Sequence, residues 1–308
     1  MTTHAPQTPG HPLPTGFPAG TMILTRRGLV PIEEVIAGDD VFTHQRLWRP
    51  VTAAMRTTAP TVRVHCASLA SGLAATADRP FLTRVARVFL EGGEAGELSS
   101  AGWTRARDLA EGHRLASPLD FGKPVPVPDL PASLTGIDPA DVLRTAGNMI
   151  RLKGEAAAAL RPELVDWLAA QFGGYGARRR FPAWALTMPE ELRTAFLDGL
   201  VNDGPQRDQF AVRMHSKSFM VGLRLLVCSL GFAGGLSSQG RPGKPGWLLS
   251  WKREGGRRPD HDGFRWHPVT RVEHGPEAEV FSLSVAEDES YIADGIAVRN
   301  RTERLTSL

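Results

Sequence analysis

Short apolar and β-branched runs fill the first part of the chain and return close to its C-terminus. Glycine, proline and aspartate separate each run from the next. Because such runs between turn residues are typical of β-strands, the pattern predicts strands over residues 21–25, 41–43, 61–65, 73–76, 81–85, 270–273, 279–285 and 290–298. The chain therefore begins and ends in predicted β-structure.

The middle of the chain has a helical pattern instead. Apolar residues recur there at helical spacing, which predicts helices over residues 139–152, 162–172, 189–200 and 216–230. The Ser216 hydroxyl is a suitable N-cap for the last of these helices, and Gly231 is a suitable stop. A short C-terminal β-segment cannot fold alone, so we expect it to complete the N-terminal β-zone around an inserted middle domain.

Composition narrows the class of protein. Of the 308 residues, 42% are hydrophobic, which is enough for an ordinary core and excludes a wholly disordered chain. The net charge is only +3, so a nucleic-acid surface would have to come from local clusters of charge. The only two cysteines, Cys66 and Cys228, exclude a disulfide framework and a cysteine-rich zinc site.

The chain shows neither a secretory signal nor a convincing membrane span. Its first 15 residues are rich in proline and threonine and have no apolar core. The apolar stretch at residues 219–236 contains Arg224, which predicts a buried helix instead of a membrane span. We therefore expect a cytoplasmic protein without a membrane partner.

Three sequence blocks in the β-zones carry a family resemblance. The first block begins at Gly16 with GFPAGTMILT and continues with RRGLVPIEEVIAGDDV. The second is LAATADRPFL at residues 73–82, and the third combines VFSLSV at residues 280–285 with YIADGIAVRN at residues 291–300. In their order and spacing these blocks resemble the Hint domain, which inteins share with hedgehog autoprocessing domains. The resemblance implies an all-β horseshoe fold.

The resemblance also assigns roles to single positions, and most of those positions are altered. Thr76 and Asn300 match catalytic positions of the family: the threonine helps to polarise the first scissile bond, and the asparagine cyclises at the second junction. The degenerate positions are Gly16 for the nucleophile, Arg79 for the assisting histidine, Ser282 for an aspartate, Glu289 and Arg299 for two histidines, and Arg301 for the acyl acceptor.

Splicing is therefore expected to be impaired. Its first step needs a thiol or hydroxyl at the position of Gly16, which has no side chain. Thr15 is an alternative, displaced nucleophile, although a linker threonine is the favoured interpretation. Cyclisation of Asn300, which would cut the chain before Arg301, would have to proceed unassisted.

A second resemblance covers the middle zone. Residues 189–204 read PEELRTAFLDGLVNDG, and RRRFPAW precedes them at residues 178–184. This pattern is similar to the LAGLIDADG homing endonucleases, in which carboxylates at the foot of paired helices hold a divalent cation that activates water to hydrolyse a phosphodiester bond of DNA. The resemblance implies that Asp203 is a catalytic residue and metal ligand, with Mg²⁺ as cofactor and double-stranded DNA as partner.

Two departures from the family pattern predict a degenerate domain. The stretch that ends at Gly204 is one residue shorter than the family spacing, which moves the carboxylate by about 100° around a helix. Only one signature helix is recognised, so the other would come from a homodimer or from a vestige at residues 164–176. The alternative is an ordinary amphipathic core helix and turn at residues 196–204.

Basic residues of the middle zone are candidates for DNA contacts, because phosphate groups are bound by clustered positive charge. Trp247 and Trp251 are interleaved with the second of two clusters. The candidates are Arg178, Arg179, Arg180, Arg241, Lys244, Lys252, Arg253, Arg257 and Arg258. A solvated loop face is an equally good interpretation of these residues.

Together the patterns predict an all-β Hint (hedgehog/intein) horseshoe fold with an inserted α+β LAGLIDADG-type domain. The expected segments are a flexible flank at 1–15, the first Hint part at 16–118, the endonuclease-like insert at 119–263, the second Hint part at 264–300 and a short flank at 301–308.

The predicted function is that of a splicing-impaired intein with an endonuclease remnant. Host-protein segments would be its partners if it is still an intein, although residues 1–15 and 301–308 are too short to form a host protein. One alternative is a protein that binds or cleaves DNA and uses the Hint part as a scaffold. Another is a hedgehog-like self-cleaving domain, against which Gly16 argues.

Overall fold

Strands dominate the fold of the computed structural model, which describes residues 15–86, 98–123, 127–151, 162–174, 176–201, 209–240, 246–252 and 262–300. The strands in these ranges are β1 (Phe17–Pro18), β2 (Met22–Thr25), β3 (Gly28–Pro31), β4 (Asp40–Phe42), β5 (Trp48–Cys66), β6 (Leu69–Thr76), β7 (Pro80–Val85), β8 (Gly102–Arg105), β9 (His113–Pro118), β10 (Gln209–Met214), β11 (Gly235–Ser238), β12 (Trp247–Lys252), β13 (Phe264–Val285), β14 (Ser290–Ala293) and β15 (Ile296–Arg299).

The helices of the described ranges lie in the middle of the chain. They are α1 (Pro139–Arg151), α2 (Pro162–Phe172), α3 (Trp184–Thr187), α4 (Glu190–Val201) and α5 (Lys217–Ser229). The four longer helices begin and end within one residue of the predicted spans, which confirms those predictions. The predicted cap of α5 is confirmed as well, because the Phe219 N–H donates to Ser216 Oγ at 3.1 Å.

The sheet interleaves the two ends of the chain. Its hydrogen-bonded order is β1-β13-β9-β7-β15-β14-β2-β4-β5-β6-β11-β12-β10, with β3 paired to β2 and β8 paired to β7. The C-terminal hairpin β14–β15 thus lies between two N-terminal strands, and β13 also forms a long antiparallel ribbon with β5. The prediction that the C-terminal strands complete the N-terminal β-zone is confirmed.

Helix α5 lies in the interior of the protein. Every residue from Ser218 to Cys228 is buried, which confirms the prediction of a buried helix. The helix packs against β2, β3 and β9 of the β-zones and also against β10, β11 and β12. The middle zone and the β-zones therefore share one hydrophobic core. In the described part of the chain, no helix has the length and apolarity needed to cross a membrane.

Helices α1 and α4 pack against each other at a pair of glycines. A Cβ atom on Gly147 would lie 2.7 Å from the Leu200 backbone nitrogen, and one on Gly199 would lie 2.8 Å from the Arg144 carbonyl carbon. Because Cβ atoms are essentially never that close to another heavy atom, only glycine allows this approach. Helix α1 therefore packs closely against the predicted signature helix α4, and Phe172 of the segment 164–176 also stacks on Phe196 of α4, with ring centres 5.4 Å apart.

Candidate functional site

Gly16, where the first β-zone begins, is held by Thr76. The Gly16 N–H donates a hydrogen bond to Thr76 Oγ1 at 3.0 Å, and the Thr76 N–H donates to the Gly16 carbonyl oxygen at 3.0 Å. The next residue, Phe17, starts β1 and pairs with Phe281 of β13. Because the Gly16 N–H belongs to the Thr15–Gly16 peptide bond, Thr76 contacts the bond that the resemblance marks as the first junction.

Arg79 lies behind this junction with no exposed surface. Its Nη1 donates to the Arg299 carbonyl oxygen at 2.8 Å, and its Nη2 donates to Ser282 Oγ at 3.4 Å. The guanidinium carbon lies 4.9 Å from the centre of the Phe17 ring and 5.8 Å from that of Tyr291. Burial lowers the pKa of Arg79, but a guanidinium in a protein stays protonated, so the group donates hydrogen bonds and accepts no proton.

The end of β15 is held by the Arg79 guanidinium through the Arg299 carbonyl. Arg299 Nη2 donates to Glu289 Oε2 at 3.0 Å, and the Asn300 N–H donates to the Glu289 carbonyl oxygen at 2.8 Å. Among the described residues, nothing hydrogen-bonds to the buried Oδ1 of Asn300. The second junction follows directly, but its far side, Arg301, lies outside the described residues.

One turn connects the two junctions. The Arg79 N–H donates to the Thr76 carbonyl oxygen at 3.1 Å, so the residue that contacts the predicted first junction and the residue that contacts the end of β15 belong to the same turn. The structure brings seven predicted positions into this network, namely Gly16, Thr76, Arg79, Ser282, Glu289, Arg299 and Asn300.

The position of Gly16 leaves no space for a side chain. A Cβ atom there would lie 2.8 Å from the Phe281 carbonyl oxygen and 3.0 Å from Val280 Cβ. Both neighbours belong to β13, in which they pair with Phe17 and Pro18 of β1. Gly16 therefore has neither the nucleophilic atom that the resemblance implies at this position nor room for the carbon that would carry it.

His44 lies beside the second junction, and no sequence pattern marks it. Its Nδ1 is 2.6 Å from Ser290 Oγ, and its ring centre is 5.1 Å from that of Trp103, which the Arg299 guanidinium approaches to 5.7 Å. Burial lowers the pKa of His44; the charge of Asp288 opposes this shift, and that of Arg299 adds to it. A neutral imidazole is therefore favoured near pH 7.

Two side chains of this cluster, Thr76 and Arg79, hydrogen-bond to backbone groups. Thr76 and Arg79 place hydrogen-bonding atoms on a peptide N–H and a peptide carbonyl, as a polarising site would. The guanidinium of Arg79, however, binds the carbonyl of Arg299 and not that of Asn300, where the bond would break. The loss of one general acid or base typically costs about 10²–10⁴-fold in rate, so unassisted cyclisation would be slow.

The predicted DNA-contact residues are only partly described. Arg178 and Arg180 are exposed, and Arg180 Nη2 lies 3.5 Å from Glu34 Oε2. Arg179 is buried, while Lys252 is exposed at the end of β12. The predicted residues outside the described ranges are Arg241, Lys244, Arg253, Arg257 and Arg258. Three of the four described candidates are therefore exposed, and one of these three, Arg180, is paired with Glu34.

The predicted metal ligand Asp203 also lies outside the described residues. Within the ranges that the structure does describe, no group of three or more histidine, cysteine, aspartate and glutamate side chains is placed to hold a metal ion. The binding of Mg²⁺ therefore stays a prediction from the resemblance.

Comparisons with known proteins find similar solved structures but no match by sequence. No protein-family model matches the chain, and no curated protein matches it. A DnaB intein from Synechocystis is similar with 9% identity and a TM-score of 0.38, over 94% of this chain and 100% of that chain. The gp41-1 intein has 8% identity and a TM-score of 0.37, over 93% and 99%. A bacterial intein-like domain from Clostridium thermocellum has 12% identity and a TM-score of 0.33, over 93% and 98%. Because these values are low, the functional proposal depends on the geometry of the site.

Proposed function

We propose that this chain is an intein-type Hint domain protein that has lost the chemistry of splicing and carries a LAGLIDADG-type remnant between its two Hint parts. The observation that carries the proposal is the turn of Thr76 and Arg79, which links the Thr15–Gly16 peptide bond to the end of β15. Splicing transfers an acyl group from one junction to the other, so both junctions must be held within reach of the same groups.

Three features support the loss of splicing. Gly16 has no nucleophilic atom, and β13 occupies the space for a side chain. Arg79 stands where the resemblance expects a histidine, and its charge is fixed. Arg301 has no hydroxyl or thiol to accept an acyl group. The domain would thus keep the architecture of the two junctions in the cytoplasm without joining its flanks.

Folded domains of different mass, fused to both ends of the chain, test this proposal. We expect one intact product by mass spectrometry, because the first acyl shift has no nucleophile. Slow cleavage after Asn300 alone would fit the proposal, and it should disappear in Asn300→Ala. A product in which the two flanking domains are ligated would overturn it.

A second candidate function is DNA binding by the inserted middle domain. It is favoured by the glycine contact between α1 and α4, because close pairing of two helices is what the resemblance implies for this class. The exposed Lys252 lies in β12, which pairs antiparallel with β10 and β11. Antiparallel strands of this kind can enter a groove of DNA. Since α1 supplies the second helix from the same chain, a monomer is proposed in place of the homodimer, with Asp203 as the Mg²⁺ ligand of any remaining nuclease.

Mobility shifts on random duplex DNA test this candidate. We expect binding that weakens with salt and no nicking with or without Mg²⁺. Lys252→Ala should reduce the dependence of log K on log salt by about 1. Arg56→Ala, which removes a side chain that is 75% exposed on the β5–β13 ribbon, should leave it unchanged. Absence of binding at low salt would exclude DNA as a partner, and nicking that requires Mg²⁺ would show an active endonuclease.

A further inference from the structure

The hairpin that leads to Asn300 is held by a helix of the inserted middle domain. We propose that Lys217 and Arg224 of α5 are positioning residues for the second junction, so that the insert is a necessary part of the junction site. The assignment of Asn300 to a junction rests on the proposed function. The coupling between α5 and the hairpin can be tested whether or not that function is correct.

The loop of the β14–β15 hairpin consists of Asp294 and Gly295. Both residues have positive φ, 46° and 80° respectively, as in the type I′ turn that favours Asp-Gly. A two-residue loop fixes the pairing register of its strands, and this pairing ends with Ser290 opposite Arg299. A shift of the loop therefore also shifts the Arg299 carbonyl and the adjoining Asn300.

Lys217 holds this loop from the first turn of α5. Its Nζ lies 2.7 Å from Asp294 Oδ2 and donates to the Gly20 carbonyl oxygen at 2.8 Å. The other carboxylate oxygen of Asp294 accepts a hydrogen bond from the Met22 N–H at 2.9 Å. Because the Asp294 side chain is only 7% exposed, salt screens this ion pair far less than it screens a surface pair. One carboxylate thus joins α5, β2 and the hairpin loop.

Arg224 holds the same loop from the interior. It is fully buried, and its Nη2 donates to the Asp294 carbonyl oxygen at 2.9 Å, while its Nη1 donates to Ser68 Oγ at 3.2 Å. A Cβ atom on Gly295 would lie 3.2 Å from the guanidinium carbon and closer still to Nη2. Glycine is therefore needed at this position for its positive φ and also for the space that Arg224 fills.

Helix α5 is itself firmly anchored, so it can serve as a fixed reference for the loop. Ser216 Oγ donates to the Arg179 carbonyl oxygen at 2.5 Å, in addition to capping the helix. Ser218 Oγ donates to the Leu29 carbonyl oxygen at 2.7 Å. These bonds connect α5 to the middle zone on one side and to β3 on the other.

Hydrogen–deuterium exchange of the full-length chain tests the proposal. In Lys217→Met and Arg224→Met, we expect amide exchange across residues 290–300 to become at least about tenfold faster than in the wild type, because either change leaves polar groups of the loop unsatisfied. Lys217→Arg should restore exchange to within about twofold, since it keeps the charge and can still donate to Asp294. Val227→Ala is the matched control, because Val227 is buried in α5 and its truncation leaves the hydrogen bonds of Lys217 and Arg224 to Asp294 in place.

The distribution of exchange decides the outcome. Faster exchange confined to the hairpin in the two methionine variants, with a uniform increase in Val227→Ala, would support positioning by α5. An increase that matches Val227→Ala, or no change at residues 290–300, would overturn it. If Arg224→Met does not fold, Lys217→Met carries the test, because its side chain is 23% exposed and leaves no buried cavity of comparable size. Exchange needs no splicing activity, so failure of this inference is separate from failure of the proposed function.

Discussion

Gly199→Ala is expected to destabilise the protein by about 2 kcal/mol. The added Cβ would lie 2.8 Å from the Arg144 carbonyl carbon and closer to its oxygen, and both atoms belong to the α1 backbone. Overpacking a tight contact costs about 1–3 kcal/mol, and a backbone neighbour places this case at the upper end. Alanine has about 1 kcal/mol more favourable helix propensity than glycine. Subtracting this gain from an overpacking cost of about 3 kcal/mol leaves a net loss of about 2 kcal/mol. Urea unfolding monitored by circular dichroism would measure it.

Two further variants separate helix packing from the general effect of adding a methyl group. Gly147→Ala, on the facing helix, should cost a similar amount, because its Cβ would lie 2.7 Å from the Leu200 nitrogen. Gly102→Ala should change stability by less than about 0.5 kcal/mol, since no heavy atom lies within 4 Å of its Cβ position. Gly199→Ala with wild-type or greater stability would contradict the close pairing of α1 and α4.

Local signals explain why the helices could be predicted so closely. The Ser216 cap and the prolines at the starts of α1 and α2 act through the first turn of their own helices, so the sequence alone contains the information. The long strands were predicted only in part. Residues 53–58 of β5 are exposed or half-exposed, and a ribbon with solvent on both faces needs no apolar alternation.

The candidate site, too, contains residues that local motifs predict and contacts that no local pattern predicts. The grouping of Gly16, Thr76 and Arg79 could be predicted because the resemblance is carried by contiguous blocks. The contacts of Lys217 with Asp294 and of Arg224 with Ser68 join residues 77 and 156 positions apart in the sequence. No local pattern specifies such partners, because they depend on how α5 packs into the sheet.

Gly16→Cys is the variant with the largest expected consequence for the proposed function: it should not restore the first acyl shift. We expect no thiol-dependent or hydroxylamine-dependent cleavage at the Thr15–Gly16 bond by intact mass. The cysteine Cβ would lie 2.8 Å from the Phe281 carbonyl oxygen, so the thiol cannot be placed without moving β13. Arg79 cannot take a proton from the thiol either, and a lost general base typically costs about 10²–10⁴-fold.

Gly16→Ala separates the two causes of this failure. It adds the same Cβ without the thiol, so both variants should lose about 1–3 kcal/mol of stability through overpacking, and neither should be cleaved. Cleavage in Gly16→Cys and not in Gly16→Ala would show that β13 yields to the side chain and that Thr76 alone polarises the junction sufficiently. The site would then lack only its nucleophile. If both variants stay uncleaved and are equally destabilised, the β1–β13 pairing that surrounds Gly16 is incompatible with the first step, and restoring splicing would require changes in β13 as well as at Gly16 and Arg79.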